Sequence, residues 1–181
     1  MIILQEKPLG LKWYEFLILQ FLTIYPQQTQ NLWHRSTQIF VINNQREFIV
    51  QKRSTNKFYC PGYIDLVFGG VVGMSETEDV SAARELQEEL SIITPDPKFM
   101  FKFRFESEFS KAWCYSYLQF YSGAVKPQGS EIDAIFFWDE EKIQDKIKAQ
   151  ALITPDSLEA YKHLQEFIKK SGDKGRLRST Y

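Results

Sequence analysis

Hydrophobic and polar positions follow two periods along this chain, and the order in which they change predicts its layers. TQIFVI (37–42) and EFIVQKR (47–53) are dominated by β-branched and aromatic residues, so they predict two strands of a hairpin with Asn43-Asn44 at the turn. Ser54 to Gly62 reads as a loop closed by Pro61-Gly62, and Tyr63 to Val72 returns to extended structure. The period then lengthens. Val80, Ala83, Leu86 and Leu90 recur at helical spacing and predict an amphipathic helix, which Thr94-Pro95-Asp96-Pro97 stops. FMFKFRFESEF (99–109) alternates apolar with charged residues, and AWCYSYLQFYSG (112–123) is nearly continuous apolar and aromatic; both predict strands. After a connection at Lys126 to Ser130, Glu131 to Trp138 predicts another strand and Asp139 to Lys148 a short helix. Thr154-Pro155-Asp156-Ser157 is an N-cap with Pro at the first helical position, opening a helix that runs to Lys170. This order predicts an α/β domain, a mixed sheet flanked by helices.

The helix after the third strand carries unusual charge. Glu85, Glu88 and Glu89 point roughly 160° away from its apolar stripe on a helix turning about 100° per residue. Like charges three and four apart cost a helix about 0.2–0.5 kcal/mol per pair. A solvated acidic face would tolerate that cost, whereas a hard divalent cation such as Mg²⁺ would remove it.

The surrounding spacing decides between the two. Gly70, Glu76, Arg84, Glu85, Leu86, Glu88, Glu89 and Ile92 match the pattern G-x5-E-x7-R-E-U-x-E-E-x-G-U, with U aliphatic, at eight of its nine fixed positions. The run resembles the Nudix box. Ser91 stands where the pattern has Gly, a position that follows the helix and commonly adopts a left-handed conformation, so the helix exit is the point in question. The resemblance implies the Nudix α/β/α sandwich. It also implies a Mg²⁺-dependent hydrolase (Mn²⁺ as the alternative metal) that cleaves the diphosphate linkage of a nucleoside diphosphate derivative or related pyrophosphate. By the same resemblance Glu85, Glu88 and Glu89 are metal ligands, while Gly70, Glu76 and Arg84 orient the helix. The general base varies across the family; Glu88, Glu89 or Glu131, which precedes the last predicted strand, could serve.

WHRST, QKRSTNK, PGYIDLVFGGVV and the late TPDSL helix extend the likeness toward the branch related to isopentenyl-diphosphate isomerase, and especially its bacterial hydrolase-like members. Arg53 and Lys57 match the Arg-x3-Lys spacing with which that branch holds its diphosphate; two solvated loop cations are the alternative. The isomerase chemistry itself is not expected. Gly69 falls where that enzyme has its catalytic cysteine, Val71 where it has a metal-binding histidine, and the chain holds only His34 and His163. His34 corresponds to another metal-binding histidine, but without partners a structural hydrogen bond is its expected role. A catalytically silent Nudix module that binds or regulates is the other alternative.

Composition narrows the rest. At 181 residues and 44% hydrophobic content the chain can bury one core, with an extension over 1–32, a domain core over 33–170 and a mobile tail over 171–181. A net charge of −1 gives no footprint for general nucleic-acid binding, so a small-molecule diphosphate is the expected partner. Residues 13–25, WYEFLILQFLTIY, are apolar but too short to span a bilayer and too interrupted for a signal peptide; they are expected to pack on the domain, with a homodimer contact or a membrane-surface element as the alternatives. Cys60 and Cys114 make no disulfide framework and are expected to be buried thiols, which fits a reducing cytoplasm. Trp113, Tyr115, Tyr117 and Trp138 could stack on a base, although core positions are the expectation for aromatics in strands.

Overall fold

The computed structural model describes residues 31–170 and Gly172. The expectations for residues 13–25, for most of the 1–32 extension and for most of the 171–181 tail lie outside the described residues.

Six strands form one mixed sheet. β1 (Trp33–Ile42) turns into β2 (Phe48–Arg53), and β3 is the short pair Ile64–Asp65. Helix α1 (Glu78–Leu90) follows, then β4 (Lys98–Glu106), β5 (Lys111–Phe120) and β6 (Ile132–Trp138). Helices α2 (Glu140–Lys148) and α3 (Pro155–Lys170) complete the described residues. The strand order is β3-β2-β1-β5-β4, with β6 on the other edge of β2. β1 and β5 are parallel from Trp33↔Lys111 to Ile42↔Phe120, whereas the other strand pairs are antiparallel.

Both faces of the sheet are covered, which is why Thr37 to Ile42 is buried without interruption. The period-two alternation survives as a choice between two cores. Ile39, Val41 and Ile49 face α1, together with Ala82, Leu86 and Leu90. Phe40, Ile42, Phe48 and Val50 face the opposite layer, with Ile143 of α2 and Ala160, Tyr161 and Leu164 of α3. The result is a three-layer α/β/α sandwich, as the sequence predicts.

Three local expectations need correction. The extended stretch from Tyr63 to Val72 keeps only two residues of regular strand, because Phe68 to Val72 instead runs beside β1 through single bridges at Ile39↔Phe68 and Ser36↔Val71. Gly69 makes this approach possible: its φ is +136°, and a Cβ there would lie 2.2 Å from the Thr37 carbonyl oxygen. The apolar stripe of α1 is rotated from the sequence reading. Val80 is exposed while Ser81 and Ala82 are buried, and Glu89 on the supposed polar face is only 4% exposed. Finally, the helix ends well before the Pro95–Pro97 segment, at Ser91 itself. Ser91 adopts the left-handed conformation (φ 57°, ψ 32°), its N–H reaches Gln87 O and the N–H of Ile92 reaches Leu86 O. Serine therefore makes the reversal expected of glycine, and its Oγ adds a bond to Lys126 O at 3.1 Å.

Candidate functional site

Helix α1 is held at both ends, and this fixes where its carboxylates point. At the start, Thr77 caps the helix by accepting from Val80 N, and Asp79 accepts from the buried Tyr117 hydroxyl of β5 at 2.7 Å. Arg35 of β1 pairs with Glu78 at 3.0 Å and donates to the Gly73 and Glu76 carbonyls. At the far end, Lys126 N and Gln128 N donate to the Leu90 and Glu89 carbonyls, and Glu131 N donates back to Gln128 O. These bonds carry the connection before β6 over the end of α1 and bring Glu131 to the same cluster.

Arg84 organises one half of that cluster. Its Nε and Nη2 form a two-bond fork with the Glu76 carboxylate at 2.9 and 3.1 Å, while Nη1 reaches Glu85 at 2.9 Å and Glu88 at 3.0 Å. Burial opposes ionisation of Glu76, yet the bonds from Arg84 and from Gly73 N–H outweigh it and hold the carboxyl below its ordinary range. Gly70 is needed for a different reason: a Cβ there would lie 2.6 Å from Glu85 Oε1. The glycine lets the chain pass directly over the carboxylate, and its carbonyl accepts from Thr37 N at 2.9 Å.

Lys57 serves the other half. Its Nζ lies 2.6 Å from Glu131 Oε2, in the loop that leaves β2. Glu89 is buried beneath, taking one bond from Gly69 N–H at 3.1 Å. Burial, and then the repulsion of Glu85 and Glu131, push the Glu89 carboxyl well above its ordinary range. Burial likewise raises Glu85 from 4.5 to about 7, with Glu88 and Glu131 adding repulsion that Arg84 only partly offsets.

These carboxylates suit a hard divalent cation. Glu85, Glu88, Glu89 and Glu131 offer oxygen donors alone, and the two most buried of them are penalised for being charged without a cation. Among the described residues no three acidic, histidine or cysteine side chains already converge as a ready cage. Arg84 and Lys57 instead hold the carboxylates that such a cage would use.

The raised Glu85 carboxyl has a direct consequence. Above its ordinary value of 4.5 the folded protein retains a proton that the unfolded chain has released, so stability falls as pH rises from there through about 7. We expect the metal-free protein to melt at a higher temperature near about pH 5.5 than near about pH 8, and Mg²⁺ to raise the melting temperature more at the higher pH, where these carboxylates are deprotonated. Equal melting temperatures, or a metal effect larger at low pH, would contradict this arrangement.

The remaining predicted residues are placed as follows. Arg53 is turned inward: it pairs with Asp65 at 3.0 Å, donates to Tyr59 O at 3.2 Å and lies over the Tyr59 ring. His34 Nδ1 lies 3.0 Å from Leu32 O, a local bond at the start of β1. Tyr117 and Trp138 are core, whereas Trp113 is 44% exposed beside Trp33. Cys114 is buried, but Cys60 is half-buried with φ 47°, because it sits in the turn that enters Pro61-Gly62.

Sequence reasoning did not single out Arg35, Thr37, Ser54 or Asp156. Arg35 lay within the WHRST run but had no visible partner. Asp156 is a first-turn residue whose carboxylate accepts from Gln38 and Tyr59, each at 3.2 Å, and only the tertiary fold brings those groups to it.

A three-layer sandwich with a carboxylate-bearing helix under a glycine loop defines a class, and comparison gives its name. Residues 32–162 match the NUDIX domain model. The chain is 30% identical over 145 residues to a Nudix hydrolase of Streptomyces coelicolor, covering 79% of this chain and 80% of that one. It is 34% identical over 133 residues to a Nudix hydrolase of Yersinia pestis, covering 74% and 71%. The chain belongs to the Nudix hydrolase family. Among solved structures, the fold is similar to the MutT protein of Methanosarcina mazei, at a TM-score of 0.65 with 22% identity over 78% of this chain and 97% of that one. It is also similar to the Nudix domain of Shewanella oneidensis NrtR complexed with ADP ribose, at a TM-score of 0.59 with 15% identity over 82% and 96%. Among the described residues, no helix is long and apolar enough to cross a membrane.

Proposed function

We propose that this protein is a Mg²⁺-dependent hydrolase that cleaves the diphosphate linkage of a nucleoside diphosphate derivative or a related pyrophosphate. The observation that carries this reading is the acidic cluster of Glu85, Glu88, Glu89 and Glu131, whose two deepest members, Glu85 and Glu89, are largely buried and which among the described residues has ion pairs with Arg84 and Lys57 alone. A divalent metal held by Glu85, Glu88 and Glu89 would neutralise charge on the diphosphate oxygens and acidify the attacking water.

The chain's own groups do the rest. Glu76 and Gly70 keep Arg84 and Glu85 in place, so that the carboxylates are aimed before the substrate arrives. Lys57 contacts the diphosphate. Arg53, engaged by Asp65, steadies the loop that carries Lys57 and adds positive potential beneath it. Glu131, more than a third exposed, takes the proton as water attacks phosphorus and the bridging P–O bond breaks; Glu88 and Glu89 are the alternatives for that role.

We also place the chain in the isopentenyl-diphosphate-isomerase-like branch, on the WHRST, QKRSTNK, PGYIDLVFGGVV and TPDSL runs. Isomerisation is disfavoured by Gly69, where a Cβ would collide with Thr37 O, so the backbone has no room for the cysteine that the isomerase has there.

The test is a panel of nucleoside diphosphate, dinucleotide, sugar and isoprenoid pyrophosphates, including ADP ribose, with purified protein and Mg²⁺ or Mn²⁺. Metal-dependent release of phosphorylated product from one class is expected. Metal binding without turnover of any diphosphate would instead mark a silent binding module, and conversion of isopentenyl to dimethylallyl diphosphate would overturn the Gly69 argument.

A further inference from the structure

The pair Lys57–Glu131 sits at the mouth of the carboxylate cluster, and its surroundings restrict how it can open. Ser54 N donates to Glu131 O at 2.8 Å, and Lys57 N donates to Ser54 O at 3.1 Å. Arg53 is in register with Ile132, the first residue of β6. The two backbones are thus tied on both sides of the pair, and Ser54 is only 2% exposed. What remains free to move is the side chains, which are 28% and 37% exposed. A lysine ammonium on a four-carbon stem can swing several ångströms without disturbing the loop.

Charge supplies the reason for it to move. Among the described residues, five carboxylates, Glu76, Glu85, Glu88, Glu89 and Glu131, gather around Arg84 and Lys57, with the charge of the inward-turned Arg53 also acting on Glu89. Arg84 is fixed by its fork to Glu76, whereas among the described residues Lys57 makes its ion pair, at 2.6 Å, with Glu131. Lys57 is also close enough to Glu89 for its charge to favour the ionised carboxylate. It therefore compensates the same groups that a divalent cation would compensate, and the two cannot both be held there without repulsion.

We propose that Lys57 is a built-in counter-ion which a divalent cation displaces from Glu131, and that the displaced ammonium then takes the diphosphate of the substrate. This rests on the hydrolase reading above. It makes binding ordered: metal first, because it frees both the base and the lysine, and diphosphate second. Without metal Lys57 is held in its own ion pair with Glu131 and is not available to a diphosphate.

Two titrations test this, each read by calorimetry rather than by turnover, with Lys57→Gln, Glu131→Gln and the double variant checked by circular dichroism and thermal melting. In the first, Mn²⁺ alone is titrated. Removing the competing ammonium is expected to tighten Mn²⁺ binding about five- to tenfold in Lys57→Gln. An unchanged or weaker affinity would overturn the proposal while leaving the hydrolase reading intact; no Mn²⁺ binding by the wild-type protein would overturn both. In the second, methylenediphosphonate, which cannot be hydrolysed, is titrated into metal-free protein. Glu131→Gln frees Lys57 and is expected to bind it several-fold more tightly than wild type, with the gain lost in the double variant. A gain that persists in the double variant would show that lost negative charge, and not the released lysine, is responsible, and would overturn the second half of the proposal.

Discussion

Glu89→Gln is expected to fold normally and to lose turnover by about 10²–10³-fold, the scale seen when one preorganised electrostatic group is removed from a catalytic site. The two halves of this expectation have one cause. Glu89 is 4% exposed, and burial together with Glu85 and Glu131 already disfavours its ionised form. The neutral amide matches it in shape and relieves repulsion, so the melting temperature of metal-free protein should hold or rise. The same amide cannot supply a full negative charge to a metal, so affinity and rate must fall. Glu88→Gln should show a similar loss of rate, with a stability change limited by the greater exposure of its side chain and by its single bond to Arg84. Turnover and Mn²⁺ affinity, measured beside thermal melting, check both variants. Unchanged activity in both would remove these residues from the mechanism, and unfolding of Glu89→Gln would make its carboxylate a structural group.

Arg84→Ala is expected to damage stability and activity together. The guanidinium bonds three carboxylates and is itself three-quarters buried, so its loss leaves Glu76, Glu85 and Glu88 facing one another without a cation. Breaking a buried ion pair by removing one partner costs about 3 kcal/mol or more. For a domain of this size that corresponds to a fall in melting temperature on the order of 10 °C. Mg²⁺ should recover part of the stability, since it neutralises the same carboxylates, but not the rate, because Glu85 and the start of the helix lose their orientation. Arg84→Lys discriminates charge from geometry: a single ammonium restores charge but not the fork to Glu76, so it should recover stability better than activity. A variant Arg84→Ala that melts like wild type would show that the arginine is not what holds the cluster.

Why the sequence carried the fold so far is visible in particular elements. Most strands could be read because their β-branched and aromatic runs are long, and α3 could be read because Thr154-Pro155-Asp156 opens it. The register of α1 could not, because Ser81 and Ala82 are small and weakly patterned, and only the approach of β1 and β5 decides that they, and not Val80, face the core. Tyr63 to Val72 reads as a strand by composition, yet most of it pairs with β1 only at isolated bridges, a consequence of Gly69 being pressed against Thr37.

The site divides in the same way. Spacing alone placed Glu85, Glu88 and Glu89 on one side of a helix, a fact of helical period, while the family resemblance linked Glu76 with Arg84 and pointed to Glu131 before the last strand. What the chain order could not contain is depth and company. Burial of Glu89, the fork on Arg84 and the contact between Lys57 and Glu131, 74 positions apart, arise only when β2, β6 and the end of α1 meet. Charges that look alike in sequence acquire different energies from the solvent they lose and the neighbours they gain, and both are properties of the packed sheet.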